Sequence, residues 1–326
     1  MERTAIRRLL LLAFGALLAA TSAIAQPYPS QPIRFVNGFA AGGATDVAFR
    51  TLAEDLRIIL GQSVINENKA GANGRIAQEE VARAKPDGYT FLVHNSSAAS
   101  AAILTKDKSG FDPEKMFVVV SPATGGPWGV LAAVKELPAA TFQEFVAYAK
   151  ANPNKLRYAS SGALTGPHFD MVLLMKRAGI ELVHLPQRGA GGTLTALNNR
   201  DAHVGTATMA TLTAQVQSGD LKVLAALGPQ RVQSLPEVPT LPELGFPTGN
   251  PLWHALYAPL GTPQPILDTM FNAIQKALKS ERMQELYKRS EMWPIELKSH
   301  AEAQEWSRTS LDNFRKVIAE VGENPK

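Results

Sequence analysis

Residues 33–46 read IRFVNGFAAGGATD. The run 33–36 suits a strand, the small, glycine-rich stretch after it suits a turn, and the spacing of Val47, Leu52, Ala53, Leu56 and Leu60 before Gly61 predicts a helix. The same unit then recurs. A strand is expected at 64–67, a KAGANG turn follows it, and a helix over 75–84 is ended by Pro86-Asp87-Gly88. The apolar run 89–93 is a further strand and opens into the polar loop HNSS. Strand, loop and helix in repetition predict an α/β fold whose parallel sheet is covered on both faces.

A second series starts after Gly125-Gly126-Pro127. It predicts strands at 128–134, 156–160, 182–185 and 221–227, with helices over 142–151, 167–178 and 193–198 between them. Beyond the Pro- and Gly-rich stretch 229–251 come a strand at 253–258, the break GTPQP, and two amphipathic helices over 265–289 and 299–321. The expected division is two α/β lobes, one from 26–127 with 253–326 and the other from 128–252.

The chain has 326 residues, of which 45% are hydrophobic and 19% charged, and this excludes a disordered or coiled-coil protein. A net charge of +4, evenly spread, points to no nucleic-acid partner. Without cysteine there is no disulfide, thiol chemistry or Cys-ligated zinc. Arg3, Arg7 and Arg8 precede the apolar run 9–20, and Ala23-Ile24-Ala25 offers a small-residue cleavage site before Gln26. This pattern predicts a signal peptide over 1–25. The run is too short for a spanning helix, and the cleavage point has no cysteine for a lipid anchor. Cleavage removes three Arg and one Glu and leaves an exported chain of charge +2.

In open α/β sheets ligands sit beyond the carboxyl ends of the strands, where helix N-termini present N–H groups and positive dipole ends. The loop with Phe39, Ala41, Gly42, Gly43 and Asp46 has the composition for that task, with glycines admitting close backbone approach or simply permitting a tight turn. Asp46 suits either a helix start or a ligand contact. A second loop brings Ser160, Ser161 and Thr165 ahead of a helix holding His168, and these hydroxyls suit an anion or a helix cap. Gln187, Arg188 and Gly189 form a third loop with one fixed charge, and Asn95, Ser96 and Ser97 a fourth. Trp128 lies where the chain crosses between lobes.

Catalytic patterns are sparse. YASSG lacks the first glycine of a nucleophile elbow, GAGGTL fails the dinucleotide pattern, no Walker loop or H-E-x-x-H occurs, and the histidines show no metal-ligand spacing beyond a weak His168-x-Asp170. A binder with no cofactor and no metal is expected; the rival is a secreted hydrolase using Ser160 or Ser161 with His168.

The blocks YPSQPIRFVNGFAAGGATD, GQSVINENKAGANGRIAQEEVARAKPDGYTFLV, KLRYASSGALTGPH, LPEVPTLPELGFP and WHALYAPLGTP, in this order, resemble the substrate-binding proteins of tripartite tricarboxylate transporters, the Bug family. The resemblance spans the mature chain. It implies a type II periplasmic-binding fold that closes on a small organic carboxylate, a periplasmic location, and hand-over to transporter membrane subunits; a monomer is expected. It also implies that backbone amides, hydroxyls and waters hold the ligand. A ligand-loaded co-receptor for a sensor protein fits the same residues. The chain departs from the family at Asn37-Gly38, at Gln187-Arg188-Gly189, at Ala196 and at Trp128.

Overall fold

The computed structural model describes residues 28–109, 113–126, 129–163, 165–187, 189–246 and 252–322. The expected signal segment, Trp128 and Arg188 lie outside them. The first lobe opens with β1 (Ile33–Asn37), α1 (Ala44–Leu60), β2 (Val64–Asn68), α2 (Arg75–Ala82), β3 (Thr90–Asn95), α3 (Ser96–Ser109), the single turn α4 (Pro113–Met116) and β4 (Phe117–Gly126). The second lobe follows with β5 (Val130–Val134), α5 (Phe142–Ala151), β6 (Arg157–Ser160), α6 (Gly166–Ala178), β7 (Val183–Pro186), α7 (Ala190–Asn198), β8 (Val204–Ala207), α8 (Met209–Gln217) and β9 (Leu221–Ala226). The chain then returns through β10 (Leu252–Pro259), α9 (Gln264–Ala277), α10 (Glu281–Ser290), β11 (Trp293–Pro294) and α11 (His300–Val321).

Two sheets result, ordered β11-β4-β10-β3-β1-β2 and β7-β6-β8-β5-β9. The expected parallel pairing holds for β1, β2 and β3 and for β6, β7 and β8, but both sheets are mixed. In the first sheet β10 runs antiparallel to β3 and β4, and the short β11 also runs against β4; in the second β5 runs antiparallel to β8 and β9. β10 and β5 are strands that arrive from the other lobe. A strand entering from the carboxyl ends of parallel neighbours must run antiparallel to them, so the lobe crossings dictate the mixed sheets.

Each lobe has its own core. In the first, Phe35 meets Phe49 and Phe91 edge-on at ring distances of 5.9 and 6.1 Å, and the apolar face of α1 closes over them. In the second, all five residues of β5 are buried, as a central strand requires. Three expectations need correction. The unpredicted β4 is the longest strand described, α3 starts inside the expected HNSS loop, and the expected helix 265–289 is two helices broken at Ser280.

Candidate functional site

The registers show where a ligand can sit. β10 begins beside the end of β3 and the end of β4, with His254 opposite Asn95 and Leu252 opposite Gly126. β5 begins beside the end of β8, with Val130 opposite Ala207. The carboxyl ends of β1, β2 and β3 in one lobe, and of β6, β7 and β8 in the other, therefore lie toward the crossings and toward each other. The N-termini of α1, α3, α6, α7 and α8 follow these strand ends and aim their positive dipole ends at the crevice.

The first loop is braced from within. Gly42 has φ +78°, a left-handed conformation that favours glycine, and its N–H donates to Asp46 Oδ2 at 2.9 Å. Asp46 Oδ1 accepts from Asn66 Nδ2 at 2.8 Å, Asn68 Nδ2 at 2.9 Å and the Arg50 guanidinium at 2.9 Å. Burial works to raise the Asp46 pKa, but the Gly42 N–H, Arg50 and Asn68 prevail and hold the carboxyl below its ordinary value. Asn68 Nδ2 also donates to the Phe39 carbonyl at 3.0 Å, and the Phe39 N–H donates to Asn37 Oδ1 at 3.1 Å. Of the expected residues here, Ala41, Gly42 and Gly43 are exposed, Phe39 is half-buried, and Asp46 is buried. Asp46 shapes the loop instead of facing out of it.

Asn95 and Ser96 also work inward. Asn95 Oδ1 accepts from the Ala98 N–H at 3.0 Å, the bond of a helix N-cap, and its Nδ2 donates to Thr45 Oγ1 at 3.0 Å. Ser96 Oγ accepts from the Trp253 N–H at 3.2 Å, tying α3 to the crossing strand. Ser97 is half-buried in the first turn of α3.

In the second lobe the structure brings the two expected loops together. The Gln187 N–H donates to the Ser160 carbonyl and the Gly189 N–H to the Ser161 carbonyl, each at 3.0 Å. Thr165 stands before α6 without capping it by its side chain; its Oγ1 donates to the Gly162 carbonyl at 2.8 Å and accepts from Ser161 Oγ at 3.4 Å. Ser161, Thr165, Gln187 and Gly189 are half-buried.

Beneath them lies a column of rings. His168 stacks on His184 at 4.2 Å and His184 on Tyr158 at 4.6 Å, each pair inclined by only 12°. Ser160 is fully buried and its Oγ lies 2.8 Å from His184 Nε2 and 3.1 Å from the Gly162 carbonyl. Burial, and then the charge of its neighbour His184, lower the His168 pKa to about 4; burial lowers that of His184 as well. Ser160 thus pairs with His184, and its hydroxyl is buried.

Sequence reasoning missed the braces Arg50, Asn66 and Asn68, and the ring His184. The first set did leave a signal. Asp46 and Arg50 are four apart on a helix, and Asn66 and Asn68 share one side of a strand. Among the described residues of the four crevice loops Asp46 alone carries a fixed charge, and Arg50 answers it; no acid and histidine cluster among the described residues suits a metal. What the arrangement offers is N–H groups and hydroxyls, a donor set for an anion.

Comparison with known proteins agrees. Residues 48–322 match the family model described as tripartite tricarboxylate transporter family receptor. The UPF0065 protein in the gbd 5'region of Cupriavidus necator is 33% identical over 95% of this chain and 93% of its own. A Rhodopseudomonas palustris protein solved with adipate is 26% identical, with a TM-score of 0.76 over 90% of this chain and 97% of its own. MatC of the same organism, solved with bound malate, is 26% identical, with a TM-score of 0.73 over 89% of this chain and 100% of its own. Two lobes, a crevice walled by helix N-termini, and similarity across nearly the whole described chain converge: this protein belongs to the tripartite tricarboxylate transporter family of receptors.

Proposed function

We propose that the chain is exported by cleavage near Ala25, captures a small organic carboxylate between its lobes, and passes it to the membrane subunits of a tripartite tricarboxylate-type transporter. The observation that carries this reading is the opposition of helix N-termini from both lobes across one crevice, which suits an anion better than any other ligand. Aliphatic dicarboxylates are the favoured class, since two related structures hold adipate and malate. The contacts fall to the amides at Gly42 and Gly43, the hydroxyls of Ser97, Ser161 and Thr165, and Gln187 and Gly189, together with Arg188, which lies outside the described residues. Asp46, Asn95, Ser96, Ser160 and His168 hold those groups in place.

Calorimetric titration of residues 26–326 with a series of mono-, di- and tricarboxylates tests the reading. A ligand at 100 times its Kd stabilises the native state by about 2.7 kcal/mol, so a thermal-shift screen finds candidates first. Gly43 is the informative variant. Its φ of −73° suits any residue, and an added Cβ would meet only the Ala40 carbonyl at 3.3 Å. Gly43→Val is expected to fold and to bind at least tenfold more weakly by obstructing backbone approach. Unchanged affinity would make the loop purely structural, and failure of every carboxylate to bind would remove the reading itself.

A further inference from the structure

A cavity of about 260 Å³ lies in the first lobe, between α3, α11 and the face of β3, β4 and β10. None of the crevice residues lines it. Its walls are mostly apolar, with Leu92, Ala99, Ile103, Phe117 and Leu311 among them, and it contains two flat rings, His94 and Tyr257, at a centroid distance of 5.3 Å.

His94 is 6% exposed, and its Nδ1 has no partner in hydrogen-bonding geometry. Burial lowers its pKa to about 4, against a weaker pull from the Asn95 backbone, so the ring is neutral and offers one donor and one acceptor. A buried polar atom left without a partner is costly, and a bound molecule with a matching group would remove that cost. Tyr257 OH is already engaged with Ser307 Oγ at 3.1 Å.

Charge enters from the outer helix. Gln304, Arg308, Leu311 and Arg315 recur along one face of α11 and all line the cavity. Arg308 is held by Glu305, both about two-thirds exposed, and Arg315 by Glu114 and Asp312. An exposed pair such as Arg308–Glu305 contributes about 0–1 kcal/mol, so the Arg308 guanidinium can exchange its partner for another carboxylate at little cost, whereas Arg315 shares its charge between Asp312 and Glu114, which also lines the cavity.

We propose that this cavity is a second ligand site, separate from the crevice, that takes a small aromatic carboxylic acid with its ring among the apolar walls and its carboxylate at Arg308 and Arg315. The inference stands apart from the transport reading, because no residue is shared between the two sites.

The test uses 4-bromobenzoate as the probe. Crystals of the mature chain grown with it are expected to show anomalous bromine density between α3 and α11. In calorimetric titration, Ala102→Phe, which fills the cavity, and Arg308→Glu, which reverses a charge on an exposed helix face, are each expected to weaken binding at least tenfold. Neither is expected to change the affinity for a dicarboxylate that binds the crevice. Should Ala102→Phe not fold, Arg308→Glu and the bromine position decide. Bromine found only in the crevice, no binding at millimolar concentration, or equal affinity in wild type and Arg308→Glu would overturn the proposal.

Discussion

Asp46 places a buried carboxylate beside a crevice proposed to receive carboxylates, and its charge is answered inside its own loop. Arg50, Asn66, Asn68 and the Gly42 N–H surround it. An anionic ligand therefore meets amides and not a bare negative charge. Asp46→Ala removes the acceptor from all four; Asn66 Nδ2 loses its acceptor, while Asn68 Nδ2 keeps the Phe39 carbonyl. Breaking a buried pair costs about 3–5 kcal/mol, and the low end applies because Arg50 is half exposed. Urea denaturation should therefore show a loss of about 3 kcal/mol. A loss below about 1 kcal/mol, the range of a single ordinary hydrogen bond, would mean that the loop is held by other means.

Among the elements, the break between α9 and α10 shows how one residue overrides a continuous pattern. Apolar spacing runs through 265–289 without interruption, but Ser280 accepts from the Met283 N–H at 3.1 Å and starts a new helix. The same hydroxyl donates to Asp55 Oδ2 at 2.6 Å, so the cap also ties α10 to α1. Ser280→Ala should cost about 1–2 kcal/mol, measured as a lowered midpoint in thermal or chemical unfolding, with the fold retained. No change would assign the break to packing alone. β4 and β8 escaped prediction for a different reason. β4 contains Pro122, Gly125 and Gly126, tolerated beside bulges where its register with β10 shifts, and β8 is only four residues long. The HNSS segment was legible in part: Asn95 before a helical run is a cap signal, although the run Ser-Ala-Ala-Ser reads equally as a loop.

At the scale of the whole molecule, α11 adds a third link between lobes already joined by the two chain crossings. It begins in the first lobe, where His300 Nε2 meets the Val119 carbonyl at 2.7 Å, and it ends against the second. There Arg177 donates to both Glu320 oxygens, at 2.9 and 2.7 Å, and Val321 packs on the second core. Buried histidines couple the stability of both lobes to pH. His94, His168 and His254 have pKa values lowered to about 4, chiefly by burial, and His184 is lowered too. Unfolded histidine titrates near about 6.5. Between those values the unfolded chain takes up protons that the folded chain refuses, so stability is complete above about pH 6.5 and is lost as pH falls toward about 4. Each histidine contributes a slope of up to about 1.4 kcal/mol per pH unit. Tm measured from pH 8 to pH 4 should be level at first and then fall. A Tm that stays level down to pH 4.5 would contradict this.

The sequence by itself determined the alternation of strands and helices, the two-lobed α/β class, the family, and which loops follow the carboxyl ends of strands. These follow from local spacing, from glycine and proline placement, and from the order of distinctive blocks. Only the tertiary structure decided which residues of those loops face outward. Whether Asp46, Asn95, Ser96 and Ser160 meet a ligand or a neighbour depends on partners 20 to 157 positions away, such as Asn66, Thr45, Trp253 and His184. A polar side chain at a helix N-terminus has the same local signature in either role, because a backbone N–H donates to a cap and to an anion alike.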